Sequence, residues 1–169
     1  MNINRFKHVS AGILCLFNGG KTVLLGKEFR YKLDRYCYSE FGGKQEIGET
    51  LYETAFRECM EETGFSLDLK IEQVQEAENS GKYIDYINEK SGVFYRMYYV
   101  YLDGKPLVEE IKKNKDSQPK GQYEEMVEFK YFNTRAVIDN YDGRLPGTNI
   151  KLFPPMIQRL KVLKRFHKV

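Results

Sequence analysis

The segment of residues 43–65 constrains this chain more than any other, because it encodes a glycine turn followed by a helix with a signal at each end. Thr50 and Glu53 have the spacing of a capping box, in which each side chain accepts a hydrogen bond from the other residue's backbone N–H. Gly64 stands where a left-handed residue can end a helix. The segment therefore predicts a helix that runs between these two signals.

Two neighbouring arcs of this helix differ in chemistry. At about 100° per residue the apolar side chains share one arc, and these are Leu51, Ala55, Phe56, Cys59 and Met60. Glu58, Glu61 and Glu62 share the next arc, since residues three and four apart lie side by side. Crowded carboxylates repel one another unless positive charge lies among them. Mg²⁺ takes oxygen ligands and favours carboxylates together with substrate phosphates.

A solvated acidic face, with Arg57 as its internal counter-ion, would also account for the three glutamates taken alone. The preceding turn at Gly42 and Gly43, and Glu49 at a set distance from the helix, favour a functional site instead. Glycine has no side chain to hold a ligand away, so the turn brings bare backbone up to the carboxylates. We interpret the segment as a site.

The fixed residues of the segment follow the pattern G-x5-E-x7-R-E-U-x-E-E-x-G-U, where U is a bulky apolar residue. This pattern resembles the signature of the Nudix hydrolases, and every fixed position is filled. Cys59 is a soft departure, because the family usually has an aliphatic residue there. Free cysteine packs as a small hydrophobe, so this exchange preserves the apolar arc.

The resemblance implies a site for a divalent metal, Mg²⁺ with Mn²⁺ as an alternative. Its ligands would be the backbone carbonyl of Gly43 with the side chains of Glu49, Glu58, Glu61 and Glu62, and Glu49 would approach from the loop directly or through water. Arg57 would orient the carboxylates by charge-assisted hydrogen bonds. The catalytic candidates are Arg57, Glu58, Glu61 and Glu62. The general base stays open among Glu61, Glu124 and Glu125.

Residues 26–41 are charged and aromatic, which predicts a surface loop or, alternatively, a wall that flanks a bound phosphate. The cations of this stretch are Lys27, Arg30, Lys32 and Arg35. Gly42, Lys44 and Arg30 are the candidates for substrate binding. Many Nudix relatives carry Trp-Glu-Phe-Pro-Gly-Gly-Lys at this place, whereas here Ser39 replaces the Trp and the Pro is missing. In those relatives the run often accompanies hydrolysis of damaged nucleotides. Its departure here argues against assigning that specificity to this chain.

Length and composition fit one soluble domain over residues 1–169, with 30% charged and 41% hydrophobic residues. The net charge of +3 is too small to indicate nucleic acid by itself, and no apolar stretch is long enough to span a bilayer. The three cysteines form no C-x-x-C pair, and their odd number suits a reducing, cytoplasmic compartment. Cys15 and Cys59 lie in apolar patterns, and Cys37 is expected to be the exposed thiol.

The remaining pattern predicts strands before and after the central helix. A hairpin joins 11–17 to 22–25 through Asn18-Gly19, and further strands are expected at 67–74, 83–87, 93–102 and 126–132. Residues 109–121 are expected to be a solvent loop after one short helical turn, and 141–155 a loop. Helices are expected from the Asn133-Thr134 cap to about 139, and from Pro155 to the end. This order favours an α/β fold with a mixed sheet between helices, and the resemblance implies a Nudix-like α/β/α sandwich.

A diphosphate resists attack because its oxygens are anionic, and a metal among carboxylates neutralises that charge. The resemblance implies Mg²⁺-dependent hydrolysis of a diphosphate linkage in a nucleoside diphosphate joined to another moiety, so the expected partner is a phosphorylated small molecule such as a nucleotide. Two alternatives remain. One is an mRNA cap hydrolase with RNA as its partner, which the basic C-terminal helix favours. The other is a non-catalytic binding module on a Nudix scaffold, against which the intact carboxylates argue.

Overall fold

The computed structural model describes residues 1–120, 126–140 and 142–167, and this part of the chain forms one mixed sheet with helices on both faces. The strands are β1 His8–Phe17, β2 Thr22–Arg30, β3 Arg35–Ser39, β4 Phe41–Lys44, β5 Tyr83–Asn88, β6 Val93–Tyr101, β7 Met126–Asn133 and β8 Lys151–Leu152. The helices are α1 Leu51–Glu62, α2 Ile71–Asn79, α3 Val108–Asp116, α4 Thr134–Ile138 and α5 Pro154–Phe166. Short 3₁₀ turns lie at Ile3–Arg5 and Tyr31–Leu33.

The sheet has the strand order β5-β6-β1-β2-β3-β8, with β4 paired to β1 and β7 paired to β2. The pairs β1–β6 and β3–β8 are parallel, and the other pairs are antiparallel. β1 is the central strand. Its side chains from Ala11 onwards are buried on both faces, as expected for a strand covered by helices on each side.

Two apolar cores lie on opposite faces of the sheet. The first core packs α1, α2 and α3 against the sheet through residues such as Ala55, Val74 and Ile111. The second core packs α4 and α5 against the other face through residues such as Val137 and Leu160. The structure therefore confirms the predicted α/β fold with a mixed sheet between helices.

The strand predicted at 67–74 is wrong. Leu67 and Leu69 are buried and give the segment its apparent period of two, but α2 begins at Ile71. Val74 and Ala77 then face the first core at helical spacing. The segment therefore changes from a strand-like period of two, at Leu67 and Leu69, to helical spacing from Ile71 onwards. A change of period within so short a segment is hard to detect from the sequence.

Two predicted loops are also wrong, and the loop predicted at 141–155 contains β8 and the start of α5. Most of residues 26–41 forms the second half of β2 and all of β3, which pair along Gly26–Arg30. The stretch 109–121 contains α3, whose buried residue Ile111 is fully enclosed in the first core. Neither segment shows its element clearly in the sequence, since charged side chains cover the exposed face and few apolar residues mark the buried one.

The thiol expected to be exposed, Cys37, is fully buried on β3, so that prediction is wrong. Cys15 and Cys59 are buried as predicted, with their sulfur atoms 3.7 Å apart between β1 and α1. The predicted β1–β2 hairpin, β5, β6, β7 and the two C-terminal helices are confirmed within one or two residues or with longer ends. No helix in the described ranges is long and apolar enough to cross a bilayer.

Candidate active site

The helix α1 begins and ends where its sequence predicts. The Thr50 hydroxyl accepts from the backbone N–H of Glu53 at 3.3 Å, and the Glu53 carboxylate accepts from the Thr50 N–H at 2.8 Å. Gly64, just past the helix, has φ of +62°. The helix buries Leu51, Ala55, Cys59 and Met60 in the first core, which leaves its acidic arc at the edge of the sheet.

The turn predicted at Gly42 and Gly43 is wrong, because both residues belong to the extended strand β4. The two glycines lie directly beside this acidic arc, and the name glycine turn is kept for this pair. Gly42 pairs with Gly12 of β1, and the next residue, Gly43, pairs with Ala11. A Cβ atom on Gly43 would lie 2.5 Å from Oε2 of Glu58 and 2.6 Å from its Oε1. Only glycine therefore allows the Glu58 carboxylate to rest against this backbone.

Arg57 gathers the loop and the helix around one guanidinium. It donates from Nε to Oε1 of Glu49 at 2.5 Å and from Nη2 to Oε2 of Glu49 at 3.1 Å. Nη1 donates to Glu58 at 2.8 Å and, more weakly, to Glu61 at 3.4 Å. Nη2 also reaches the backbone carbonyl of Lys44 at 3.0 Å. Arg57 therefore lies in contact with the three carboxylates that the resemblance implies it would orient.

The electrostatic effects of this arrangement differ along the cluster. The hydrogen bond from Arg57 lowers the pKa of Glu49 to about 2, with weaker help from Glu46 N–H and Thr54. Burial raises the pKa of Glu58 against the pull of Arg57. Burial also raises the pKa of Glu62 well above its usual range, and the nearby carboxylates of Glu28 and Glu58 add to that rise. The buried carboxyls of Glu58 and Glu62 therefore ionise less readily than that of Glu49.

Glu62 is joined directly to the glycine turn. Its Oε1 accepts a hydrogen bond from the backbone N–H of Gly42 at 2.6 Å. The Gly42 N–H therefore binds a carboxylate of the protein, whereas the sequence analysis names Gly42 as a candidate for substrate binding. Glu58 and Glu62 thus meet two successive glycines of one strand.

Glu28 is a member of the cluster that the sequence did not reveal. It lies on β2, is 6% exposed, and forms an ion pair with Arg30. Its carboxylate is close enough to raise the pKa of Glu62. A glutamate in a stretch as charged as this one carries no sequence signal for burial, so only the strand pairing discloses it.

The residues predicted to bind substrate are placed differently from one another. The Lys44 side chain is exposed beside the turn. Arg30 pairs with Glu28, donates to the Ser39 hydroxyl at 3.2 Å, and lies 3.9 Å over the ring of Phe153. Lys27 pairs with Glu128 at 2.5 Å. The other two cations of the expected wall, Lys32 and Arg35, are exposed at the end of the β2–β3 hairpin.

The predicted metal ligands come together, but not as a closed set of side chains. Among the described residues, no group of three or more His, Cys, Asp or Glu side chains is arranged to hold a metal ion. The guanidinium of Arg57 lies among these carboxylates and donates to oxygens of Glu49, Glu58 and Glu61. Two general-base candidates, Glu124 and Glu125, lie outside the described residues.

An α/β/α sandwich with a carboxylate-bearing helix against a glycine turn defines the class of this protein. A family model described as the NUDIX domain matches residues 6–148. The chain therefore belongs to the Nudix family of pyrophosphohydrolases. A comparison with curated protein sequences found no match.

Solved structures share the fold at low sequence identity. An Ap4A hydrolase from C. elegans, described as a binary complex, is 17% identical with a TM-score of 0.56, over 93% of this chain and 96% of that chain. A Nudix-family hydrolase from Clostridium perfringens is 17% identical with a TM-score of 0.51, over 94% of each chain. A bifunctional NMN adenylyltransferase/ADP ribose pyrophosphatase from Francisella tularensis, complexed with AMP and Mn ion, is 16% identical with a TM-score of 0.52, over 94% of this chain and 41% of that chain.

Proposed function

We propose that this protein hydrolyses a diphosphate linkage in a nucleoside diphosphate joined to another moiety, with Mg²⁺ as its cofactor. One observation carries the proposal: the carboxylates of Glu58 and Glu62 are fixed on two successive glycines of β4. A solvated acidic helix face would leave these side chains in water. Instead they are drawn onto the backbone, where a substrate phosphate can approach them.

The residues of the cluster fit a hard divalent cation. All of the available ligand atoms are oxygens, which Mg²⁺ prefers, and the missing side chain at Gly43 lets the Glu58 carboxylate lie against the backbone of β4. Gly43, Glu58 and Glu62 would hold Mg²⁺ or Mn²⁺, with Glu49 and Glu61 as further ligands. A bound metal would neutralise charge on the diphosphate and lower the pKa of a bound water.

Arg57 has a supporting role in this proposal. Its hydrogen bonds keep Glu49 ionised, as the lowered pKa of that carboxyl shows, and fix the direction of Glu58. Arg57 donates to protein oxygens with Nε, Nη1 and Nη2. It therefore orders the carboxylates rather than contacting the substrate.

Glu61 is the best-placed described candidate for the general base. Its side chain is 48% exposed, and its hydrogen bond from Arg57 is the longest in the cluster at 3.4 Å. A carboxylate that is open to solvent and weakly held can accept a proton from a water that attacks phosphorus. Glu124 and Glu125 stay as alternative candidates.

Substrate recognition is proposed to use the cation beside the turn. The exposed ammonium of Lys44 can reach a phosphate of the substrate. Arg30 instead forms an ion pair with the buried carboxylate of Glu28. A nucleotide or nucleotide conjugate is the substrate class, in keeping with the Ap4A hydrolase and the AMP-bound pyrophosphatase that share this fold. The three free, buried cysteines support the proposal of a reducing, cytoplasmic compartment.

The deciding experiment is a hydrolysis panel. Purified protein is incubated with nucleoside triphosphates, nucleotide sugars, ADP-ribose, dinucleoside polyphosphates and capped RNA, each with Mg²⁺, Mn²⁺ or EDTA, and the products are separated by ion-exchange chromatography. We expect metal-dependent cleavage of at least one small nucleotide, into two phosphorylated products. Cleavage of capped RNA alone would favour the cap-hydrolase alternative, and no cleavage of any compound would favour a binding module.

A further inference from the structure

A buried ion pair joins α5 to the residue that precedes the glycine turn. Glu40 lies between β3 and β4, and Arg159 lies in the middle of α5, yet each is only 3% exposed. Nη2 of Arg159 donates to Oε1 of Glu40. The pair thus crosses from the helix on one face of the sheet to the strand that carries Gly42 and Gly43.

Tyr95 extends this connection to the turn itself. The Arg159 guanidinium lies 4.2 Å from the centre of the Tyr95 ring. The Tyr95 hydroxyl fills the space in which a Cβ of Gly12 or of Gly42 would lie, so it presses on the paired backbones of β1 and β4. The two faces of the turn are therefore occupied by different groups: the Tyr95 hydroxyl at Gly42, and the Glu58 carboxylate at Gly43.

The network ends at a candidate metal ligand. The N–H of Gly42, whose other side meets Tyr95, donates to the Glu62 carboxylate at 2.6 Å. Moving Glu40 or Tyr95 would move the Gly42 amide, and the Glu62 carboxylate would follow its hydrogen-bond donor. A displacement of about 1 Å in such a group can lower a rate on the order of a hundredfold.

Stability alone does not account for the pair. A buried ion pair is weak evidence of stabilisation, since apolar residues of similar volume often serve the fold as well or better. Within the described residues, Oε2 of Glu40 and Nε of Arg159 have no hydrogen-bond partner. The place of the pair is better explained by orientation, because Arg159 contacts the Tyr95 ring and the Tyr95 hydroxyl lies against Gly42.

We propose that Arg159, Glu40 and Tyr95 are positioning residues for the active site, which act through Gly42 to fix the direction of Glu62. This inference rests on the proposed function for its catalytic consequence. Its structural consequence, the placement of the Gly42 amide, stands independently of any substrate.

The test replaces both members of the pair, because removing one would leave a buried charge alone. The double variant Arg159→Met with Glu40→Gln is compared with the wild type by NMR of the Gly42 amide, by kcat and KM, and by thermal melting. We expect the Gly42 resonance to shift and kcat to fall about tenfold or more, with a smaller change in KM. Tyr95→Phe, which removes only the hydroxyl, should shift the same resonance and serves if the double variant does not fold.

The matched control is the neighbouring ion pair of Arg96 and Asp85, whose Nε and Oδ1 are 2.7 Å apart on β6 and β5. Arg96→Met with Asp85→Asn should lower the melting temperature but leave the Gly42 resonance and kcat in place. The inference is overturned if the folded Arg159/Glu40 variant, or Tyr95→Phe in its place, keeps both the Gly42 resonance and the wild-type kcat. An inactive wild type would contradict the proposed function, and the Gly42 resonance would still decide the positioning role.

Discussion

The Glu58 carboxylate lies directly on the backbone of Gly43, in the space that a side chain at residue 43 would need. This contact joins β4 to the acidic arc of α1. It explains why residue 43 is a glycine even though its backbone is not left-handed. The contact makes the site sensitive to a single methyl group.

We expect Gly43→Ala to reduce turnover on the order of a hundredfold, because the new Cβ would push the Glu58 carboxylate off the turn. Turnover and circular dichroism measure the activity and the fold. Gly104→Ala is the matched control, since a Cβ at residue 104 meets nothing within 4 Å. Equal activity of the two variants would show that the contact is not needed for catalysis.

We expect Glu58→Gln or Glu62→Gln to reduce turnover by orders of magnitude at saturating Mg²⁺ while the fold remains. The physical reason is the several kcal/mol of charge stabilisation that a correctly held metal contributes. Steady-state kinetics with a Mg²⁺ titration is the measurement. Glu72→Gln, an exposed substitution on α2, is the control and should behave as wild type. Near wild-type turnover in both site variants would contradict the ligand assignment.

We expect the metal-free protein to carry strain at Glu62. Burial, Glu28 and Glu58 raise its folded pKa, so ionising Glu62 destabilises the fold at a pH above the ordinary pKa. Glu62→Gln keeps an oxygen for the Gly42 amide and removes the charge. In EDTA at neutral pH the variant should therefore melt at or above the wild type.

Addition of Mg²⁺ provides the second half of this test. A ligand at a hundred times its dissociation constant stabilises by about 2.7 kcal/mol, so the wild type should gain a higher melting temperature. The Glu62→Gln variant should gain less. If it melts well below wild type in EDTA, the carboxylate serves the fold, and an ordinary acidic helix face becomes the better description.

We expect the stabilising effect of Glu49 to vanish in acid. Its folded pKa of about 2 lies below its ordinary value of 4.5, because Arg57 hydrogen-bonds the ionised form. Its contribution is thus present above pH 4.5 and is lost as the pH falls towards 2. Urea unfolding in EDTA should show Glu49→Gln less stable than wild type by about 2 kcal/mol at neutral pH.

The same difference should shrink steadily below pH 4.5 and be nearly gone near the folded pKa. Glu46→Gln is the control, since that side chain is 69% exposed and 3.9 Å from the Arg57 Nε. It should change stability little at any pH. A Glu49→Gln difference that is independent of pH would mean that packing, not charge, explains the loss.

We expect a small-nucleotide enzyme to be indifferent to charge on the outer face of α5. Lys161→Gln with Lys164→Gln should leave kcat and KM unchanged, apart from a small stability loss where Lys164 pairs with Asp139 at 2.9 Å. Electrophoretic mobility shift at two salt concentrations tests the alternative. RNA binding that is weaker in this variant and depends less on salt would support the alternative of an mRNA cap hydrolase.

The sequence by itself determined the local parts of the site. The capping box and the acidic arc follow from residues close together in the chain, because helix caps and i, i+4 neighbours are set by spacing alone. The sequence also pointed to Gly42 and Gly43, although they form part of a strand and not the predicted turn. The hairpin and the apolar faces of β6 were predictable for the same reason. The pattern of residues 43–65 also indicated the family that the comparison confirms.

Only the tertiary structure decided what surrounds those parts. Glu28 and Arg159 read as ordinary surface charges in the sequence, yet burial against distant strands places both within the charged groups around the turn. The segment predicted as a loop at 26–41 forms a local hairpin of β2 and β3, and β2 also pairs with β7 from a distant part of the chain. Side-chain burial and strand pairing depend on contacts between residues far apart in sequence. The local pattern of apolar residues carries no information about those contacts.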